Sequence, residues 1–115
     1  MQLQYFNIKE FDCQETGNNQ MCPFFLGKLD ELRHVCGFSF TITSGYRDPS
    51  HSIEAKKNIP GTHARGIAAD IRINSGAEGY KIVQEAMRLG FTGVGVAKTF
   101  IHVDTRTSMP VIWCY

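Results

Sequence analysis

The stretch G-T-H-A-R-G-I-A-A-D-I (61–71) places His63 seven residues before Asp70, and F-I-H-V-D (100–104) carries His102 two residues before Asp104. Side chains alternate faces along a strand. In a strand over 67–73, Ile67, Ala69, Ile71 and Ile73 take the core face, which sets Asp70 and Ala68 on the other. In a strand over 100–105, Ile101 and Val103 take the core face, and His102 and Asp104 lie together opposite. His63 falls in the loop just before the first of these strands. Two imidazoles and one carboxylate form a recurrent catalytic zinc set, with the fourth position left for water. Zinc lowers the pKa of that water toward about 7 and polarises a carbonyl. Neutral imidazole and ionised carboxylate are both at hand near neutral pH. Ala64, Gly66, Ala68 and Ala69 would leave room for a metal and a substrate close to the backbone. The spacing alone equally fits a hydrogen-bonded His–Asp pair on a surface.

The elements that must position these residues can be read from periodicity and punctuation. Phe25, Leu29, Leu32 and Cys36, with Leu26 beside them, fall at helical spacing and predict a helix from about 21 to 34. Pro23 suits its first turn, Asn18 or Asn19 its cap, and Gly37 its end. Residues 1–20 read as irregular. The alternation over 38–43 predicts a strand, and 44–62, rich in Ser, Gly and Pro, a long loop with one helical turn near 53–57. Long loops inside small domains are often functional. A second helix is expected over 77–89, with Tyr80, Ile82, Val83, Ala86 and Met87 as its apolar positions and Gly90 at its end. Further strands are expected over 91–96, 100–105 and 111–115, the last opened by Pro110. This order predicts an α+β fold, a mostly antiparallel sheet with helices packed on one face.

The chain of 115 residues suits one domain over 1–115. A net charge near +1, without a basic run beyond Lys56–Lys57, gives no footprint for nucleic acid. No apolar stretch approaches a membrane span. The start, MQLQYFNIKEF, has no signal-peptide pattern, so synthesis in a cytoplasm is expected. Cys13, Cys22, Cys36 and Cys114 contain no C-x-x-C and read as reduced thiols, several of them buried.

Three ordered motifs, S-G-Y-R (44–47), G-T-H-A-R-G-I-A-A-D-I (61–71) and F-I-H-V-D (100–104), resemble those of the M15 metallopeptidases, the D-alanyl-D-alanine carboxypeptidase and phage endolysin relatives with the Hedgehog/DD-peptidase fold. The segments YFNIKEFDCQETG and MCPFFLGKLDELR resemble the smaller, phage-associated branch, so the resemblance spans nearly the whole chain. It implies a Zn2+ site of His63, Asp70 and His102, with Arg47 placed to bind a substrate carbonyl or carboxylate. Arg47 equally suits a salt bridge that pins its loop, and Ser44 of the same motif is a candidate substrate contact. His51, in the loop after Arg47, either lines the cleft and holds substrate or is a solvent-exposed loop histidine. It also implies hydrolysis of amide bonds in peptidoglycan stem peptides or cross-links, by a monomeric phage-type lysis enzyme that reaches the wall after membrane breach. Thr62 stands where serine is commoner, a mild departure. Thr99 stands where many members carry an acid, three residues before the late histidine, and cannot take a proton from water near neutral pH. Asp104 is the nearest acid in sequence, and could either act as the general base or orient a ligand histidine. His34, near the end of the first helix, reads as structural. The departure at Thr99 keeps open a non-catalytic reading, a zinc-containing wall-binding or virion structural module of the same fold.

Overall fold

A computed structural model describes residues 3–115. Pro23 opens helix α1 (Pro23–Cys36), where a missing N–H costs nothing and the fixed φ suits the helix. The cap is Cys22, which makes no side-chain bond. The expected cap Asn19 instead ties the preceding segment together: its amide donates to the Ile8 carbonyl and to Asp12, and its oxygen accepts the Met21 N–H. Gly37 ends α1 in the left-handed region at φ 79° and donates to the Arg33 carbonyl. Helix α2 (Gly76–Arg88) is capped by Ser75, whose hydroxyl accepts the Glu78 N–H. It buries Gly79, Ile82 and Ala86. Tyr80 and Met87, expected on the apolar face, are 70% and 58% exposed. Seven residues apart, they share a second stripe that faces solvent.

The strands are β1 (Ile42–Ser44), β2 (Ala68–Arg72), β3 (Gly93–Val96), β4 (Phe100–Asp104) and β5 (Val111–Cys114). They form one sheet in the order β1-β2-β4-β3-β5, antiparallel except for the parallel β3–β5 pair. The core face carries Ala69, Ile71, Val94, Ile101 and Val103, which join Leu26, Leu29, Leu32, Ile82 and Ala86 of the helices in one buried cluster. The α+β architecture, with a mostly antiparallel sheet and helices on one face, is thus as the periodicity implied. β1 is shorter than the expected 38–43. It is an edge strand whose one neighbour ends at Arg72, and the Arg72 N–H already reaches the Thr41 carbonyl. Upstream of that bond, Phe38 and Phe40 turn to aromatic packing, Phe40 against both Phe38 and Phe6.

The N-terminal segment is more ordered than its composition suggests. A 3-10 turn, Ile8–Phe11, is closed by a capping box between Asn7 and Glu10. Phe11 then packs on Gly45, where an added Cβ would lie 2.6 Å from the Phe11 Cα. The Tyr46 N–H donates to the Phe11 carbonyl. Among the described residues, no helix is long and apolar enough to cross a membrane.

Candidate metal centre

Register brings the chemistry together. Asp70 on β2 lies directly opposite His102 on β4, and Ser44 on β1 lies opposite Asp70. On the far side of β4, Gly95 of β3 lies opposite His102, and Trp113 of β5 lies opposite Gly95. The row Ser44–Asp70–His102–Gly95–Trp113 therefore runs across all five strands on the face away from the helices. His63 enters from the loop before β2. Its Nδ1–H donates to the Gly45 carbonyl at 2.8 Å, since that partner can only accept. This leaves Nε2 as the lone-pair nitrogen, 3.3 Å from Asp70 Oδ1.

His102 stands between two carboxylates. Its Nδ1 is 3.0 Å from Asp70 Oδ1 and its Nε2 is 2.7 Å from Asp104 Oδ2. Three ligating atoms, one each from His63, Asp70 and His102, lie within 4.8 Å of one another, and all three residues are buried. The donor chemistry fits zinc. Two imidazoles, each fixed by its other nitrogen to an oxygen, converge on one carboxylate oxygen. A neutral His63 would set its Nε2 lone pair against that oxygen, a contact that a cation between them relieves.

The charges around the site are matched. Burial opposes ionisation of Asp70, but hydrogen bonds and charge from His102 and His63 outweigh it and hold its pKa well below the usual carboxylate range. Burial likewise opposes ionisation of Asp104 and is outweighed by His102 and Arg106. For His102, burial disfavours the imidazolium, yet its bonds to Asp104 and Asp70 prevail and raise its pKa. Asp104 is 0% exposed and accepts three bonds from Arg106: from its backbone N–H at 3.0 Å, its Nε at 2.9 Å and its terminal nitrogen at 2.7 Å. The Arg106 guanidinium also lies over the Trp113 ring, whose centroid is 5.0 Å from that of His102.

Arg47 reaches the cluster from the loop after β1. One terminal nitrogen is 3.8 Å from Asp70 Oδ2 and the other 3.9 Å from the buried Glu54. Ser44 lies in the row itself. His51 lies apart from the cluster: its Nε2 is 3.2 Å from Glu15, and its Nδ1 accepts the Ile53 N–H. His34 bonds Tyr5 at the other end of α1. All four cysteines are free thiols, Cys13 and Cys36 buried.

The profile of the peptidase M15 family matches residues 3–104, which takes in all of these residues up to Asp104. The chain belongs to the peptidase M15 family. A comparison with curated proteins gives no match. As a member of M15, the chain is a hydrolase of the metallopeptidase type, and its His63–Asp70–His102 cluster is a possible metal site within that fold.

Several partners of the M15 cluster escape the sequence motifs. Arg106 and Glu54 carry no motif of their own, and the S-G-Y-R motif holds Gly45 without showing that its carbonyl fixes His63. Gly93 and Gly95 do carry a signal, because G-V-G-V alternates small residues on the face of His102. A Cβ at Gly93 would fall 2.1 Å from Asp104 Oδ2, and one at Gly95 would fall 2.7 Å from the Trp113 ring. The space attributed to Gly66 has another owner. Its φ is 73°, and an added Cβ would meet the Gln20 carbonyl at 2.2 Å. Ala69 faces the helices rather than the cluster. Gly66 thus admits the segment leading into α1, not a metal or substrate.

Proposed function

We propose that the protein is a zinc-dependent peptidase that hydrolyses amide bonds in peptidoglycan stem peptides or their cross-links, as a phage-type lysis enzyme acting at the wall after membrane breach. The observation that carries this reading is the convergence of His63 Nε2, Asp70 and His102 Nδ1 beside a guanidinium. In this reading His63, Asp70 and His102 hold the zinc. When bound, zinc supplies Lewis-acid character and makes water acidic enough to act near neutral pH. Arg47 presents fixed N–H donors to the scissile carbonyl or a terminal carboxylate, where a permanent charge stabilises developing negative charge. Asp104 holds the Nε2–H of His102, keeping Nδ1 turned to the metal. Trp113 and Arg106 cover the outer side of that pair.

The test is incubation of zinc-loaded protein with purified peptidoglycan, with fragments read by mass spectrometry. Defined stem-peptide products that vanish on chelation and return with zinc are expected. No fragments from walls of several cross-link types would defeat the peptidase reading. A second reading, a non-catalytic wall-binding module, draws on Thr99 and on the full engagement of Asp104 by Arg106. Wall binding that persists without any product would favour it.

A further inference from the structure

Glu54 belongs to no motif, yet its side chain is 1% exposed. A buried carboxylate needs partners, and Glu54 has three. Lys57 Nζ donates to Oε2 at 2.8 Å, the Gly61 N–H donates to Oε1 at 3.0 Å, and an Arg47 nitrogen stands 3.9 Å from Oε2. These partners come from both ends of the loop between β1 and β2. Gly61 is two residues before His63, and the Arg47 N–H itself donates to the His63 carbonyl.

Arg47 is held in an unusual way. Its guanidinium lies between two carboxylates, Glu54 and Asp70, at 3.9 and 3.8 Å, too far for a forked hydrogen bond to either. Among the described residues, no side-chain hydrogen bond occupies its N–H groups. Charge on two sides therefore fixes the group while leaving its donors open to a ligand. Lys57 neutralises the carboxylate on one side, so that Glu54 steadies Arg47 without a net negative charge at the site.

Resting on the peptidase reading, we propose that Glu54 is a positioning residue for that reaction, a buried carboxylate that aims the Arg47 guanidinium at the substrate and ties Arg47 to the turn that delivers His63. Glu54→Gln keeps the shape and an acceptor for Gly61 but removes the charge. It is expected to bind zinc at the wild-type stoichiometry and to lose about 10- to 100-fold in kcat/KM on purified sacculi, the scale of a misplaced catalytic group. In an Arg47→Ala background the same change is expected to cost nothing further, within about twofold. An equal loss in both backgrounds, or full activity of Glu54→Gln, would overturn the proposal.

A measurement independent of turnover keeps the two readings apart. In zinc-loaded protein with 15N-labelled arginine, the Arg47 Nε–H resonance is expected to shift and exchange faster with water in Glu54→Gln. If wild type cuts no sacculi, the peptidase reading falls, while this resonance still tests the clamp. An Arg47 resonance unchanged in a folded Glu54→Gln variant would refute it.

Discussion

Asp104→Asn separates the two roles open to that carboxylate. Its oxygens accept from His102 Nε2 and from three Arg106 donors, and none of the side chain is exposed. An asparagine has one oxygen and one NH2. If the oxygen faces the Arg106 N–H and Nε, the NH2 meets the His102 Nε2–H and the Arg106 terminal nitrogen, donor against donor. If it is flipped, the clash moves to Arg106 and His102 keeps only a weaker neutral acceptor. Either way the tautomer of His102 is less firmly held. Loss of such an outer partner weakens metal binding by about 10- to 100-fold. That factor is about 1.4–2.7 kcal/mol. The metal-free protein loses more, about 2–4 kcal/mol, because the partly exposed Arg106 charge is left facing a neutral group. The assay is a zinc competition titration against a chromophoric chelator, followed by hydrolysis of peptidoglycan at saturating zinc. Weakened zinc with turnover largely recovered at saturation is expected. Wild-type zinc affinity combined with abolished turnover would refute the positioning role and make Asp104 the proton acceptor.

Four further outcomes follow from the structure. His63→Ala, Asp70→Ala and His102→Ala should each lose stoichiometric zinc by atomic absorption, and zinc retained in all three would place the site elsewhere. Zinc affinity should rise with pH above about 6.5, because the proton that His102 holds through its raised pKa must leave. The stabilisation that proton gives the metal-free protein is fully present below about pH 6.5 and is lost as pH rises through the folded value. The lowered Asp70 and Asp104 contribute above about pH 4 and lose their contribution as pH falls through their folded values. Metal-free melting temperature should therefore peak between about pH 4 and 6.5, and a flat zinc affinity from pH 6 to 8 would contradict the His102 assignment. Gly93→Ala should destabilise by about 1–3 kcal/mol in chemical denaturation, since its Cβ would overlap Asp104. Gly27→Ala, on an exposed turn of α1 with nothing within 4 Å, should stabilise by about 0.5–1 kcal/mol.

What the sequence reveals of this site divides along a physical line. A strand's two-residue period leaves no freedom, so the shared face of His102 and Asp104, and of Asp70 opposite Ile71, follows from the alternation of apolar residues alone. Register does not: that Asp70 meets His102 rather than Asp104 depends on how β2 and β4 slide, which tertiary packing decides. Loop partners are harder still. Glu54 reaches Arg47, Lys57 and Gly61 only because residues 44–66 close on themselves, and nothing local in that stretch prescribes the closure.

The closure is imposed from outside the loop. Phe11 presses on Gly45, whose carbonyl fixes His63, and the 20–22 backbone presses on Gly66, whose carbonyl accepts the Cys22 N–H. Asn18 holds Asp48, and Glu15 holds Ser52 and His51. The N-terminal segment, which reads as irregular, is therefore the outer wall of the loop that carries Arg47 and His63. Its glycine contacts admit no side chain, so both motifs, around residues 44–47 and 61–66, depend on a segment tens of residues upstream. The candidate ligands are legible in the sequence because their chemistry is local, and this support is not, because it is written as empty space at two glycines.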